Sequence, residues 1–338
     1  MKPLFSLRAL GSGALIFLLA VLATTEVRAR SWQTVTGQSF DAEFVRVEGT
    51  NGIFRVKGKD YPYPLNRLTP ADRLAIGRAV NHQPALSQSG APSLGGVALK
   101  TGGATEVEIA ATNPAQLGEL QTTYGKASNK VRLSIAVPND FAPLTKSYSL
   151  LVVSASADGS GSSIAAARPF VPDALGKGFV VLAVDGEFGS PGANDSTAFR
   201  WALVSAALDG LAQEWAQAAS WPVATAGLKG GGGYASEQAA ELAATHREVI
   251  GVFLEDSAWS PANFVAEFDR QLPTTFRQMP IFLDANAAMK TKVDHSRATL
   301  VRNGFSNVRF EQSSGRGDLD HAQLQSALAW FLAQSGKK

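Results

Sequence analysis

Two hydrophobic rhythms divide the chain. Between residues 30 and 80 apolar and polar positions alternate: Phe40, Ala42, Phe44, Val45 and Val47 in one run, Ile53, Phe54 and Val56 in the next, then Tyr61, Tyr63 and Leu65. A period of two is that of half-buried strands. The breaks at Thr36-Gly37, Gly49-Thr50-Asn51-Gly52 and Gly58-Lys59-Asp60 are turn formers, and Val56 to Tyr61 predicts a tight hairpin. At Leu68-Thr69-Pro70-Ala71-Asp72 the pattern turns helical, with Thr69 as N-cap, Pro70 at the first position and Asp72 placed to favour the helix dipole. Residues 81–104 carry Pro84, Pro92, Gly95-Gly96 and Gly102-Gly103 without any apolar period, which predicts a linker.

From 105 to 335 the pattern is of continuous apolar runs alternating with helical ones. Arg132 to Val137, Tyr148 to Val153, Phe179 to Val184, Val223 to Gly227, Val249 to Leu254, Pro280 to Leu283 and Val308 to Phe310 read as strands covered on both faces. Between them Ser196 to Ala219 sets Trp201, Val204, Leu208, Leu211 and Trp215 on one helix face, and Tyr234 to Thr245, Val293 to Asn303 and Ala322 to Ala333 are further helices. The expected fold is α/β, a doubly wound, mostly parallel sheet preceded by a small β module.

Composition narrows the function. A length of 338 residues suits two domains, and the absence of cysteine removes disulfides, thiolate metal sites and a cysteine nucleophile together. Lys2 and Arg8, the apolar stretch Ala9 to Ala23 and the small residues of Val27-Arg28-Ala29 read as an export signal over residues 1–29. That apolar run is about 15 residues, short of the roughly 20 a spanning helix needs. A retained anchor is the alternative, whereas a lipoprotein needs a cysteine the chain lacks. The expected location is secreted or periplasmic. Without residues 1–29 the chain keeps 28 basic and 28 acidic residues, which argues against nucleic acid and, after signal removal, against a membrane as partner.

The β module resembles the Sla-type homology domain, an SH3-like barrel. The resemblance rests on Ser31-Trp32, on Gly37-x-x-Phe40-x-Ala42-x-Phe44-x-x-Val47, and on Tyr63-Pro64-Leu65-x-x-Leu68-Thr69-Pro70-x-Asp72. It implies a protein or peptide partner, with Trp32, Tyr61 and Tyr63 as candidate contacts, unless these rings only fill the core. Residues 105–335 resemble an α/β-hydrolase. Val223-Ala224-Thr225-Ala226-Gly227-Leu228-Lys229-Gly230-Gly231-Gly232 is a strand running into a Gly-rich turn and a helix, where that fold sets its G-x-S-x-G nucleophile elbow.

Measured against that family the catalytic set is degenerate. Lys229 stands at the serine position. The base position falls at Gly317 in Gly315-Arg316-Gly317-Asp318-Leu319, the acid position at Ala287 or Ala288, and Ser154-Ala155 replaces the His-Gly of the oxyanion loop. A triad needs nucleophile, base and orienting acid together. The resulting expectation is a non-catalytic, hydrolase-like protein in a binding or adaptor role, unable to turn over activated esters. The alternative is an esterase- or depolymerase-like hydrolase with a divergent site, in which Lys229 is the amine and His321 or Asp318 assists. Against that stands a filler lysine paired with Asp185, Glu187 or Asp256. A small anion at Lys229, Gly230 and Gly231 is a further expectation, because a helix N-terminus and a cation meet there. A phosphate loop is not, since no Gly-Lys-Ser/Thr closes the run. His82, His246 and His295 have no ligand spacing, so neither metal nor cofactor is expected.

Overall fold

The computed structural model describes residues 30–34, 36–48, 51–69, 72, 76, 92–156, 161–268, 270–313 and 319–336. The predicted export signal, residues 81–91 of the predicted linker, and Gly317 and Asp318 lie outside them. The chain divides into two compact units, residues 1–85 and 86–338.

In the first unit β1 (Arg30–Gln33), β2 (Ser39–Glu48), β3 (Asn51–Val56) and β4 (Lys59–Pro64) form an antiparallel sheet in sequence order. The predicted hairpin is the β3–β4 turn. Val56 pairs with Lys59, and the two residues between, Lys57 and Gly58, both take positive φ (50° and 80°), as a type I′ turn requires. Trp32, Ala42, Phe44, Phe54, Leu68 and Ile76 fill one face. Thr69 Oγ1 accepts the Asp72 N–H at 3.3 Å, the predicted cap, and the Asp72 carboxylate accepts the Gln33 N–H at 2.7 Å. The SH3-like barrel expectation thus reduces to a four-stranded antiparallel sheet with one packed face.

The second unit begins with a small hairpin, β5 (Ser93–Leu94) and β6 (Val97–Ala98). Then follow β7 (Gly103–Ala110), α1 (Pro114–Tyr124), β8 (Lys130–Val137), β9 (Ser149–Ser154), α2 (Ser163–Ala167), α3 (Val171–Gly176) and β10 (Phe179–Gly186). The rest is α4 (Thr197–Glu214), β11 (Val223–Leu228), α5 (Gly231–Ala244), β12 (Val249–Glu255), α6 (Val265–Phe268), β13 (Ile281–Ala285), α7 (Lys290–Arg302), β14 (Val308–Gln312) and α8 (His321–Ser335). Leu94 and Leu99 are buried in the core of this unit, so residues 92–104, expected in the linker, belong to it instead. Composition misled there because a two-strand hairpin is made largely of turn formers.

The sheet runs β14-β13-β12-β11-β9-β10-β8-β7. β7–β8 and β8–β10 are antiparallel and the remaining pairs parallel, an order and polarity consistent with the α/β-hydrolase fold. Alternate residues of each central strand serve two cores. Leu150 and Val152 of β9 face the α1, α4, α5 and α7 side, whereas Leu151 and Val153 face α2, α3 and α8. That is why the strand segments read as unbroken apolar runs. The strand order reverses between β9 and β11, which leaves a crevice at their C-terminal ends, the usual seat of a ligand in such sheets.

Candidate active site

The crevice is floored by the predicted elbow. β11 ends at Leu228, α5 starts at Gly231, and Lys229 between them is held in the left-handed region at φ 53°. Its N–H donates to the Glu255 carbonyl at 2.8 Å and its carbonyl accepts the Gly232 N–H at 3.1 Å. The turn leaves no room for side chains on either flank. A Cβ on Gly227 would lie 2.2 Å from the Gly231 carbonyl oxygen, and one on Gly231 2.4 Å from that of Ser154. These are backbone contacts, which cannot swing aside.

The lysine is exposed, and its amine has no partner among the described residues. This corrects the reading of a filler lysine paired with a nearby carboxylate. The candidate carboxylates are engaged elsewhere. Asp185 accepts Ser162 Oγ at 2.6 Å and the Ser163 N–H at 2.7 Å, and lies 3.7 Å from Arg200. Glu187 accepts Ser128 Oγ at 3.1 Å. Asp256 accepts the Asn286 N–H at 2.9 Å and Nδ2 at 2.5 Å. Asp256 is itself left-handed, at φ 54°, so two neighbouring strands both end in strained non-glycine residues on this edge.

Carboxyl groups crowd behind the elbow. The β12–β13 register sets Glu255 opposite Asp284 on one face of the sheet. The Glu255 carboxyl is pushed up to about 8, chiefly by burial, with the Asp320 N–H, 3.1 Å from both oxygens, opposing and the charges of Asp284, Asp256 and Asp320 adding to the rise. Asp284 is fully buried and neither oxygen makes a hydrogen bond of ordinary geometry. Burial, then Asp320, push it up to about 6, while the Ala285 and Ser313 backbone pulls part of the way back. Both carboxyls are candidates for setting the local field and for titrating with the fold. No group of three or more His, Asp or Glu among the described residues is arranged to hold a metal.

Other predicted positions fall as follows. His321, the first residue of α8, is engaged by Asp173: its Nδ1 lies 2.6 Å from Asp173 Oδ2, and Asp173 Oδ1 accepts Gln325 Nε2 at 2.6 Å. Ala287 and Ala288 are exposed loop residues without acid chemistry, and Asn286 beside them serves Asp256. Ser154 Oγ donates to Gln238 Oε1 at 2.8 Å, and the Ala155 N–H donates to Ser163 Oγ at 3.2 Å. In the first unit Trp32 is 1% exposed and its Nε1 donates to the Ala42 carbonyl, so its candidacy as a contact residue is corrected to core packing. Tyr63 is half-buried 5.1 Å from the Phe40 ring, and Tyr61 alone of the three is exposed.

Sequence reasoning missed Arg200. It is 3% exposed, forks onto Asp195, bonds Ser163 Oγ at 3.0 Å and reaches the Gly161 carbonyl, tying the loop before α4 to the loop before α2. The signal was present, because position 200 continues the buried stripe 204, 208 and 211 as a lone charge.

No family model matches the chain, and no curated protein matches it significantly. Among solved structures it is similar to a dienelactone hydrolase from Anabaena variabilis, at 14% identity over 68% of this chain and 98% of that one, with a TM-score of 0.46. It is similar to an esterase from Pyrobaculum calidifontis, at 12% identity over 70% and 87% of the two chains, with a TM-score of 0.48. A bacterial heroin esterase shares 15% identity over 78% and 90%, with a TM-score of 0.44. The non-catalytic binding or adaptor role expected from the sequence finds no counterpart among these structures, which are described as esterases and hydrolases. Likeness at this level carries no argument about substrate or catalytic residues, which rest on the chain's own geometry.

Proposed function

We propose that the C-terminal unit is a hydrolase of carboxylic esters with a divergent site built on Lys229. The observation that carries the reading is the backbone of Lys229, held at φ 53° between two glycines that admit no side chain. A non-glycine residue in that region costs roughly 1 kcal/mol or more, and such strain persists where the surroundings over-determine it, typically at functional sites. The elbow displays its side chain beside the N-terminus of α5, whose dipole favours negative charge although the Gly232 and Gly233 N–H groups are taken by the Lys229 and Gly230 carbonyls.

The amine suits one role better than another. Acyl transfer to it would give an amide, too stable to turn over, so a nucleophilic lysine does not complete a cycle. An ammonium beside a helix N-terminus instead stabilises the oxygen that becomes negative when water adds to the carbonyl carbon. The acyl–oxygen bond then breaks, the alcohol leaves with one proton of the water, and the acid is released. Buried Glu255 and Asp284 stand behind this position and bias its field.

The test is ester hydrolysis by the full chain, followed by acid release at constant pH. Turnover above background that falls by 100-fold or more in Lys229→Ala and is retained in part by Lys229→Arg is the expected outcome, on the order of the loss of one oxyanion donor. No turnover by the wild type over a panel of alkyl esters and lactones overturns the reading. Residues 1–29 support action outside the cytoplasm, and exported protein is then expected to begin at Arg30 by N-terminal sequencing.

A further inference from the structure

The run Gly230-Gly231-Gly232-Gly233 is longer than an elbow needs. The elbow accounts for Gly231, which lies against Ser154. Gly232 and Gly233 answer to a different segment. A Cβ on Gly232 would fall 2.4 Å from Ser257 Oγ and 2.5 Å from its Cβ, and one on Gly233 would touch Trp259 at 3.5 Å. The loop that follows β12 therefore lies directly on the first turn of α5.

That loop is fixed. Ser257 Oγ accepts the Trp259 N–H at 3.1 Å and donates to the Trp259 carbonyl at 3.0 Å. The Ser260 N–H donates to Asn263 Oδ1 at 2.8 Å, and Ser296 Oγ donates to the Ala258 carbonyl at 2.6 Å. Yet the side chain carried by this fixed backbone is 52% exposed. Its ring partner is Phe264, stacked at 6.3 Å and 29°. A half-exposed indole on a fixed backbone gives up burial that the fold could use, and offers a flat apolar face at little entropic cost to a ligand.

We propose that Trp259 is the platform on which a planar aromatic ring of the substrate's acyl group stacks while the ester carbonyl sits at Lys229. The ester part of this proposal rests on the hydrolase reading above; the ring-binding part does not. The indole lies against Gly233 in the first turn of α5, the helix that starts just after Lys229, so ring and carbonyl would sit at neighbouring points, and an arylpropanoyl ester is a compact probe that carries both. Phe264 beside the indole extends the apolar surface that an aromatic ring would cover.

Phenylpropanoate and cyclohexylpropanoate have the same charge and reach but differ in a flat against a puckered ring. Titrated into the full chain by calorimetry, the aromatic acid is expected to bind about threefold to tenfold more tightly, the range of a stacked aromatic pair. Trp259→Ala should abolish that preference and Trp259→Phe should keep most of it. Lys229→Ala should weaken both acids alike, because it meets the carboxylate. With the ethyl esters, the ratio of kcat/KM for the phenyl over the cyclohexyl substrate should fall in Trp259→Ala by the same factor. Equal binding of the two acids, or a preference that survives Trp259→Ala, overturns the platform, as does selective binding of neutral sugars at Trp259. A Trp259-dependent preference for phenylpropanoate without hydrolysis of any ester upholds the platform and overturns the hydrolase reading alone.

Discussion

A lysine at φ 53° is held where a glycine would rest without strain. If that strain is stored for function, removing it should separate stability from activity. Lys229→Gly is expected to raise the unfolding free energy by about 0.5–1 kcal/mol, because the exposed side chain gives up no described contact and the backbone relaxes. The same variant should lose ester turnover. Denaturant titration reads the first effect, and a drop in stability would show the turn to be indifferent to the lysine backbone. The flanking glycine behaves oppositely. Gly227→Ala sets a methyl 2.2 Å from a backbone oxygen, so β11 and α5 must part, at an expected cost of more than about 2 kcal/mol. The sequence showed both glycines and the lysine between them, since crowding of this kind leaves only small residues. It could not show that the amine is exposed, or that Asp185 and Asp256 are already satisfied, because those facts depend on Arg200, Ser162 and Asn286 arriving from distant segments.

At the scale of elements, the end of β12, the end of β13 and the start of α8 meet through Glu255, Asp284 and Asp320. Both raised carboxyls are protonated in the fold at a pH where the unfolded chain would ionise them. Their contribution is therefore full below the ordinary carboxylate range near pH 4 and is lost as pH rises, through about 6 for Asp284 and about 8 for Glu255. Thermal unfolding should shift downward between pH 5 and 8 by an amount on the order of a few kcal/mol. Glu255→Gln keeps the acceptor for the Asp320 N–H and cannot ionise, so its melting temperature should fall less over that range. An unchanged pH dependence in the variant would place the titrating group elsewhere. Element existence was largely legible for the central strands and long helices, where burial on both faces or on one stripe writes itself into the pattern. Strand β7 and helix α1 were not legible. β7 is an edge strand with charged residues on its open face, and α1, with Gln116 and Thr123 among its buried residues, lacks an apolar stripe.

At the scale of the whole molecule, the boundary between the units is set by packing rather than by composition. The linker composition of residues 81–104 extends well past the point where the second core begins, because Leu94 and Leu99 are 1% and 4% exposed and the Gly102 N–H donates to the Val137 carbonyl at 2.8 Å. Backbone that is paired and side chains that are buried must open before a protease can seat them, so cleavage within 92–104 requires local unfolding. The Gly-rich appearance of this stretch does not alter that, since glycine promotes cutting only where the chain is free to bend. Limited proteolysis of the native protein is accordingly expected to leave a C-terminal fragment whose first residue precedes Pro92, and mass spectrometry of the fragment gives that residue directly. The same fragment should melt as one cooperative unit. Replacing Leu94 by Ser should release the hairpin, move the cut to a point after residue 94 and lower the melting temperature. A wild-type fragment that begins beyond Thr101 with an unchanged melting temperature would mean that the hairpin adds nothing to the core and that composition, after all, marked the boundary.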